Sequence, residues 1–167
     1  MSGPCQEDIM KDHANSLNEI FWNRIDDARA VMLEVGGRSL PMAPYADKAE
    51  GVIWFITSEG TDAHEAATSA GRIRLIVGDS GAKLYGDVEG SLTVADNPDK
   101  LNELWSPMAA AWFEDGREDE DVRLLAFRPT SGEIWATDGA AGFLYEIAKA
   151  NMTDETPDAG DHGRVSF

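Results

Sequence analysis

A chain of 167 residues, 43% hydrophobic and 27% charged, suits one globular domain with one core. A net charge of -17 leaves little Lys/Arg surface, which argues against non-specific binding to nucleic acid or to an anionic membrane. The single cysteine, Cys5, cannot form an internal disulfide, and no paired Cys/His spacing marks a metal site, so no metal is expected.

The opening MSGPCQEDIMKDH is acidic and lacks a basic region followed by an apolar stretch, unlike a signal peptide. No apolar run reaches the ~18 residues needed to span a bilayer. A cytoplasmic protein is expected.

Residues 6–27 read as an amphipathic helix, with Ile9, Met10, His13, Leu17, Ile20, Phe21 and Arg24 on one face. A strand over 28–35 follows, then a Gly36-Gly37 turn and a second extended segment, RSLPMAPYAD, over 38–47. Pro41 and Pro44 lack amide hydrogens, so this segment is no ordinary central strand throughout. VIWFITS (52–58) is a third strand, and 61–71 a short helix with Thr61 as N-cap. RIRLIVGD (72–79) is a fourth. The stretch 82–96 is a long strand in which Gly86 and Gly90 mark a bulge or sharp bend. Asn97-Pro98 opens a helix, PDKLNELW, followed by a second piece, SPMAAAWFEDG. Segments 121–130 and 131–139 read as a last hairpin, and 142–151 as a terminal helix. The tail from Thr153 to Phe167 is polar and rich in turn formers, and is expected to be a mobile arm.

No βαβ alternation is sustained, which argues against a doubly wound parallel sheet. The expected fold is mainly β: a six-stranded antiparallel Greek-key barrel with peripheral helices, with no internal repeat and no domain boundary in 1–167.

The junction of strand and helix at Thr57, Ser58, Gly60 and Thr61 is chemically suggestive. A helix N-terminus leaves amides unpaired and carries partial positive charge, and hydroxyls add donors, a combination that suits phosphate. The same residues also read as a plain N-cap and turn. A dianion would need local cations in so acidic a chain, and Arg38, Arg72, Arg74 and Lys83 are those nearby in sequence.

Read together, RSLPMAPY (38–45), VIWFITSEGTDAHEA (52–66), YGDVEGSLTVADN (85–97), LWSPMAAAWFEDGREDEDVRLLAF (104–127), GEIWATDG (132–139) and GFLYEIAKA (142–150) resemble one family. They are similar to the general stress protein branch of the pyridoxamine 5′-phosphate oxidase-like, FMN-binding split-barrel proteins, over about residues 12 to 165. The resemblance implies a homodimer of split barrels with flavin, FMN or else FAD, at the subunit interface. It lays RSLPMAPY, Pro41 included, along the flavin ring, with backbone atoms of Met42 and Ala43 at the ring edge and Arg38 near enough to contribute to the phosphate. It makes Thr57, Ser58 and Thr61 phosphate donors, and gives the partner subunit's Trp105 and Trp112 as ring or pocket walls. Many split-barrel oxidases carry a lysine or arginine just after the phosphate turn. Here Asp62 and Ala63 stand there, with His64 next as a weaker, pH-dependent cation or an ordinary helix residue.

Trp22, Trp54 and Trp135 read as core or dimer interface, while Trp105 and Trp112 admit interface packing or a flavin wall. The acidic run 114–121 lacks the alternating ligand pattern of a calcium loop and reads as solvated. His13, His64 and His162 are scattered, and no nucleophile–base pair can be assembled, so no catalytic residue is assigned. Two functions follow: a flavin-dependent oxidoreductase acting on an unknown small molecule, or a stress protein that binds or stores flavin without turnover. A deazaflavin or haem is a third cofactor option, with haem disfavoured. Pyridoxamine phosphate oxidation is disfavoured, because no second basic cluster is present and the C-terminus is not Arg-rich.

Overall fold

The structure, a computed structural model, describes residues 3, 5–69, 71–138, 148–153 and 160–167. The first helix, α1 (Gln6–Ile25), has Glu7 and Asp8 in its first turn and Arg24 in its last, both favourable to the helix dipole. Leu17, Phe21, Trp22 and Ile25 are buried, all in its second half. Ile9 and Met10, expected on the same apolar face, are 56% and 66% exposed, because the first half of α1 extends past the core it was expected to cover.

Eight strands form one antiparallel sheet: β1 (Val31–Val35), β2 (Arg38–Met42), β3 (Tyr45–Asp47), β4 (Val52–Ser58), β5 (Arg72–Asp79), β6 (Leu84–Ala95), β7 (Val122–Thr137) and β8 (Gly160–Ser166). The order is β2-β1-β5-β6-β7-β4-β3, with β8 paired to β7. This is a curled half-barrel with peripheral helices: the mainly β split-barrel class stands, with two strands more than the six expected. Pro41 sits in β2, which among the described residues pairs only with β1, so its missing N–H can face away from the ladder. The short helices α2 (Asp62–Thr68), α3 (Pro98–Leu104) and α4 (Pro107–Ala110) lie between strands. They are capped by Thr61, Asn97 and Ser106, whose side chains accept from His64, Lys100 and Ala109 amides.

The expected hairpin at 121–139 is a correction. PTSG reads as a turn, yet β7 is one strand of 16 residues. The register between β6 and β7 shifts between Glu89 and Gly90, so Thr130 is the extra residue of a bulge. The Thr130 hydroxyl donates to Glu89 O at 3.1 Å, and its carbonyl accepts from Phe167 N at 3.0 Å. Gly90 allows the close approach: a Cβ on it would stand 2.4 Å from Arg128 O. Gly86 lies in regular register, without a bulge.

The bend lets β7 serve two neighbours along one edge. Ile53–Ser58 of β4 pair with 122–127, and β8 pairs with 131–137. The expected mobile tail is therefore also corrected: its last residues are a strand. Val165 is buried, and the Phe167 ring meets Phe21 and Trp22 edge-on at 5.0 and 6.2 Å. Polar alternation concealed it, since GDHGRVS offers only one apolar residue to the core. Of the expected helix at 142–151, residues 148–151 are helical and the rest lies outside the described residues.

Trp135 is not core. It is 38% exposed and stacks on His162 at 4.9 Å, while His162 Nε2 lies 2.7 Å from Glu133 Oε1. Among the described residues no helix is long and apolar enough to cross a membrane, and no cluster of ligating side chains fits a metal ion.

Candidate functional site

β4 carries the chain from the core to the rim, and Thr57 and Ser58 at its end remain half-buried. Gly60, at a φ of 77°, then turns the chain into α2. Thr61 closes the turn: its hydroxyl donates to Ser58 O at 2.9 Å and accepts from His64 N at 3.2 Å. Thr57 Oγ1 lies 3.0 Å from Thr61 Oγ1. Because the Thr61 proton is already committed, the Thr57 hydroxyl is the donor of that pair. The Gly60 amide donates to His64 Nδ1 at 3.1 Å. Ser58 therefore carries the one hydroxyl of the three without a partner among the described residues.

Beside this turn lies a cleft of about 420 Å³, within the range of small-molecule sites. Pro41, Met42, Ala43 and Tyr45 form one wall, Ile56, Thr57, Ser58 and Thr61 the floor, and Met108, Ala109, Trp112 and Phe113 the other wall. Pro107 starts α4 and Ser106 caps it, so Met108 and Ala109 are presented on a short rigid turn. Trp112 is 81% and Met108 69% exposed, an apolar rim open to solvent.

The structure thus brings Pro41, Met42, Ala43, Thr57, Ser58, Thr61 and Trp112 together. Trp112 lines the cleft of its own chain. Arg38, His64 and Trp105 do not line the cleft. Trp105 packs against Phe113 at 5.7 Å, and His64 caps the turn from behind. Tyr45, Ile56, Met108, Ala109 and Phe113 were missed as lining residues, although Tyr45 closes the RSLPMAPY stretch and the others lie inside the quoted segments.

The electrostatics run against the phosphate expectation. Arg38 Nε is held by Asp62 Oδ2 at 2.8 Å. The Asp62 carboxyl lies against the β1–β2 turn, 3.6 Å from where a Cβ on Gly36 would stand. Across the turn, Arg123 Nη2 meets Glu59 Oε2 at 2.8 Å, and its Nη1 donates to Glu120 O and Val122 O at 2.6 and 2.9 Å. Arg72 and Arg74 are paired on the sheet with Glu89 and with Asp87 and Glu34, away from the turn. Hydrogen bonding to Asp87 holds the Arg74 guanidinium above its ordinary pKa, and Asp87 below the usual carboxylate range. Among the described residues no Lys, Arg, His, Asp or Glu lines the cleft.

Lys100 ties α3 to β3. Its ammonium is 3.0 Å from Asp47 Oδ2 on β3 and 3.0 Å from Glu103 Oε2 on α3, and lies over the Trp54 ring at 5.9 Å. The Lys100 hydrogen bond lowers the Asp47 pKa, while bonds to Glu103 and Asp47 raise that of Lys100.

A planar heteroaromatic ring fits the apolar walls, and a hydroxyl-bearing chain fits the Thr57–Thr61 end. A dianion there would meet no cation among the described lining residues. The fold and cleft define a split-barrel protein.

Residues 17–158 match the family described as pyridoxamine 5′-phosphate oxidase like, and the chain belongs to it. Among solved structures, a general stress protein 26 from Jannaschia sp. CCS1 shares 46% identity over 92% of this chain and 99% of its own, with a TM-score of 0.84. The general stress FMN/FAD binding protein from Xanthomonas citri shares 28% identity over 75% and 92%, with a TM-score of 0.67. A general stress family protein from Xanthomonas campestris pv. campestris shares 27% identity over 75% and 90%, with a TM-score of 0.65. No curated protein matches.

Proposed function

We propose that this is a flavin-binding general stress protein of the cytoplasm, a single split-barrel domain acting as a homodimer. The observation that carries the reading is the convergence of three sequence-distant segments, 41–45, 56–61 and 108–113, on one apolar cleft. The name of the Xanthomonas citri relative, FMN/FAD binding, supports it. The Trp112 and Met108 rim supports the dimer, because two large apolar side chains left in water favour cover by a second subunit.

A bound flavin would supply reversible electron transfer. Met42 and Ala43 would border the ring edge, Trp112 and Met108 would cover a face, and the Ser58 hydroxyl would donate to the chain. The resemblance favours FMN, with FAD as the alternative, and an oxidoreductase acting on a small molecule. A second reading, binding without turnover, is favoured by one observation: among the described residues no Cys, His, Lys, Arg, Asp or Glu lines the cleft.

The test is a titration of purified protein with FMN, FAD and riboflavin, following absorption and flavin fluorescence. Saturable quenching at one flavin per chain is expected. Binding of none of the three removes the reading. Anaerobic bleaching of bound flavin by NADH or NADPH, followed by reoxidation with a substrate, would separate the reductase from the storage protein. Sedimentation tests the dimer.

A further inference from the structure

The acids of the SEGTD turn each hold an arginine: Glu59 holds Arg123, and Asp62 holds Arg38. Most of the hydroxyl and glycine donors of the turn are spent as well, the Ser58 hydroxyl excepted. The Thr57 and Thr61 protons go to Thr61 and Ser58 O, and the Gly60 amide goes to His64. With no charged side chain on the described lining, this end of the cleft is a neutral, acceptor-rich surface flanked by two closed ion pairs. A phosphate recruiting Arg38 would do so with the Asp62 carboxylate still on Arg38 Nε, so the dianion would carry that like charge as a neighbour. A ribityl hydroxyl would instead donate to the free lone pairs of Thr57.

From this we infer that Asp62 is a charge-specificity determinant: by holding Arg38 it turns the cleft toward flavin without phosphate, riboflavin, at the expense of FMN. The inference rests on the flavin reading above and names which flavin that site prefers. Arg38 and Asp62 are 64% and 39% exposed, so the pair is solvent-screened and the preference is modest, not absolute.

The experiment titrates wild type, Asp62→Asn and the double variant Arg38→Met/Asp62→Asn with riboflavin and with FMN at low salt. Wild type is expected to bind riboflavin at least as tightly as FMN. Asp62→Asn should raise FMN affinity about three- to fivefold while leaving riboflavin unchanged. The double variant should lose that gain, and added salt should shrink it. Wild-type preference for FMN by about tenfold or more would overturn the inference, as would an unchanged FMN-to-riboflavin ratio in Asp62→Asn. A gain that survives in the double variant would remove Arg38 from it. Binding of neither flavin by any of the three proteins, with circular dichroism intact, sinks the flavin reading and this inference together. All these substitutions are at exposed positions, so the fold should tolerate them.

Discussion

The two faces of β4 pack against different things. Ile53 and Phe55 enter the large core, with Phe21, Leu33, Leu75, Leu92 and Phe127, where most side chains are fully buried. Val52 and Trp54 enter a smaller cluster with Leu101, Phe113, Val122, Leu124 and Ala126, partly covered by Tyr45, Ile56, Leu104 and Trp105. The large core closes on itself under α1. The small one opens, through Tyr45, Ile56 and Phe113, into the cleft. Its Trp54 indole N–H is buried without a partner among the described residues. One face of the strand makes the barrel, and the other makes the site.

If that division is right, removing mass from the large core costs most. Phe127→Ala should lose ~3–5 kcal/mol of stability, read as a lowered midpoint in urea, with flavin affinity per folded molecule retained. A midpoint within error of wild type would mean that the core relaxes around the gap. Gly90→Val attacks the bend shared by both regions. Its side chain would meet Arg128 O and Phe127 Cζ, at 2.4 and 2.7 Å from the Cβ. A loss of ~1–3 kcal/mol is expected, together with weaker protection of the β7 amides in hydrogen exchange.

On the other face, Trp112→Ala should leave stability within ~0.5 kcal/mol, because the ring is exposed. Flavin affinity should fall about three- to tenfold through lost ring contact. Equal loss of stability and binding would erase the distinction between the two faces. The smallest effect expected is from pH. The folded-state pKa of Asp47 lies below its ordinary 3.8, chiefly through Lys100. Its contribution is therefore present above that ordinary value and is lost as pH falls through the lower folded value. Tryptophan emission of the small cluster should shift across that window, and Lys100→Met should abolish the shift. An unchanged transition in the variant would remove the Lys100 tie.

Local chemistry made much of this legible in advance. β4 to β5, the Thr61 cap and the Asn97-Pro98 helix start each depend on residues within one turn of each other, so propensity and capping suffice. Thr57, Ser58 and Thr61 were legible because they bracket a short, chemically marked turn, whereas Pro41, Met42 and Ala43 were expected only through the family resemblance of RSLPMAPY. Three things were beyond local reading. PTSG carries the residues of a turn, and only pairing with β6 makes it a bulge. GDHGRVS lacks strand patterning, and only the free edge of β7 makes it β8. Arg38 and Asp62 are 24 positions apart in the chain, and only the folding of α2 against the β1–β2 turn makes them partners.

Charge, hydropathy period and caps thus set the elements and the mainly β class, since each acts over a few residues. Which strand edge an uncommitted segment joins, which segments meet at the cleft, and whether an arginine near a turn is free or held are long-range questions. Their answers come from contacts that exist only once the sheet has curled, and it is those contacts that give the cleft its neutral end.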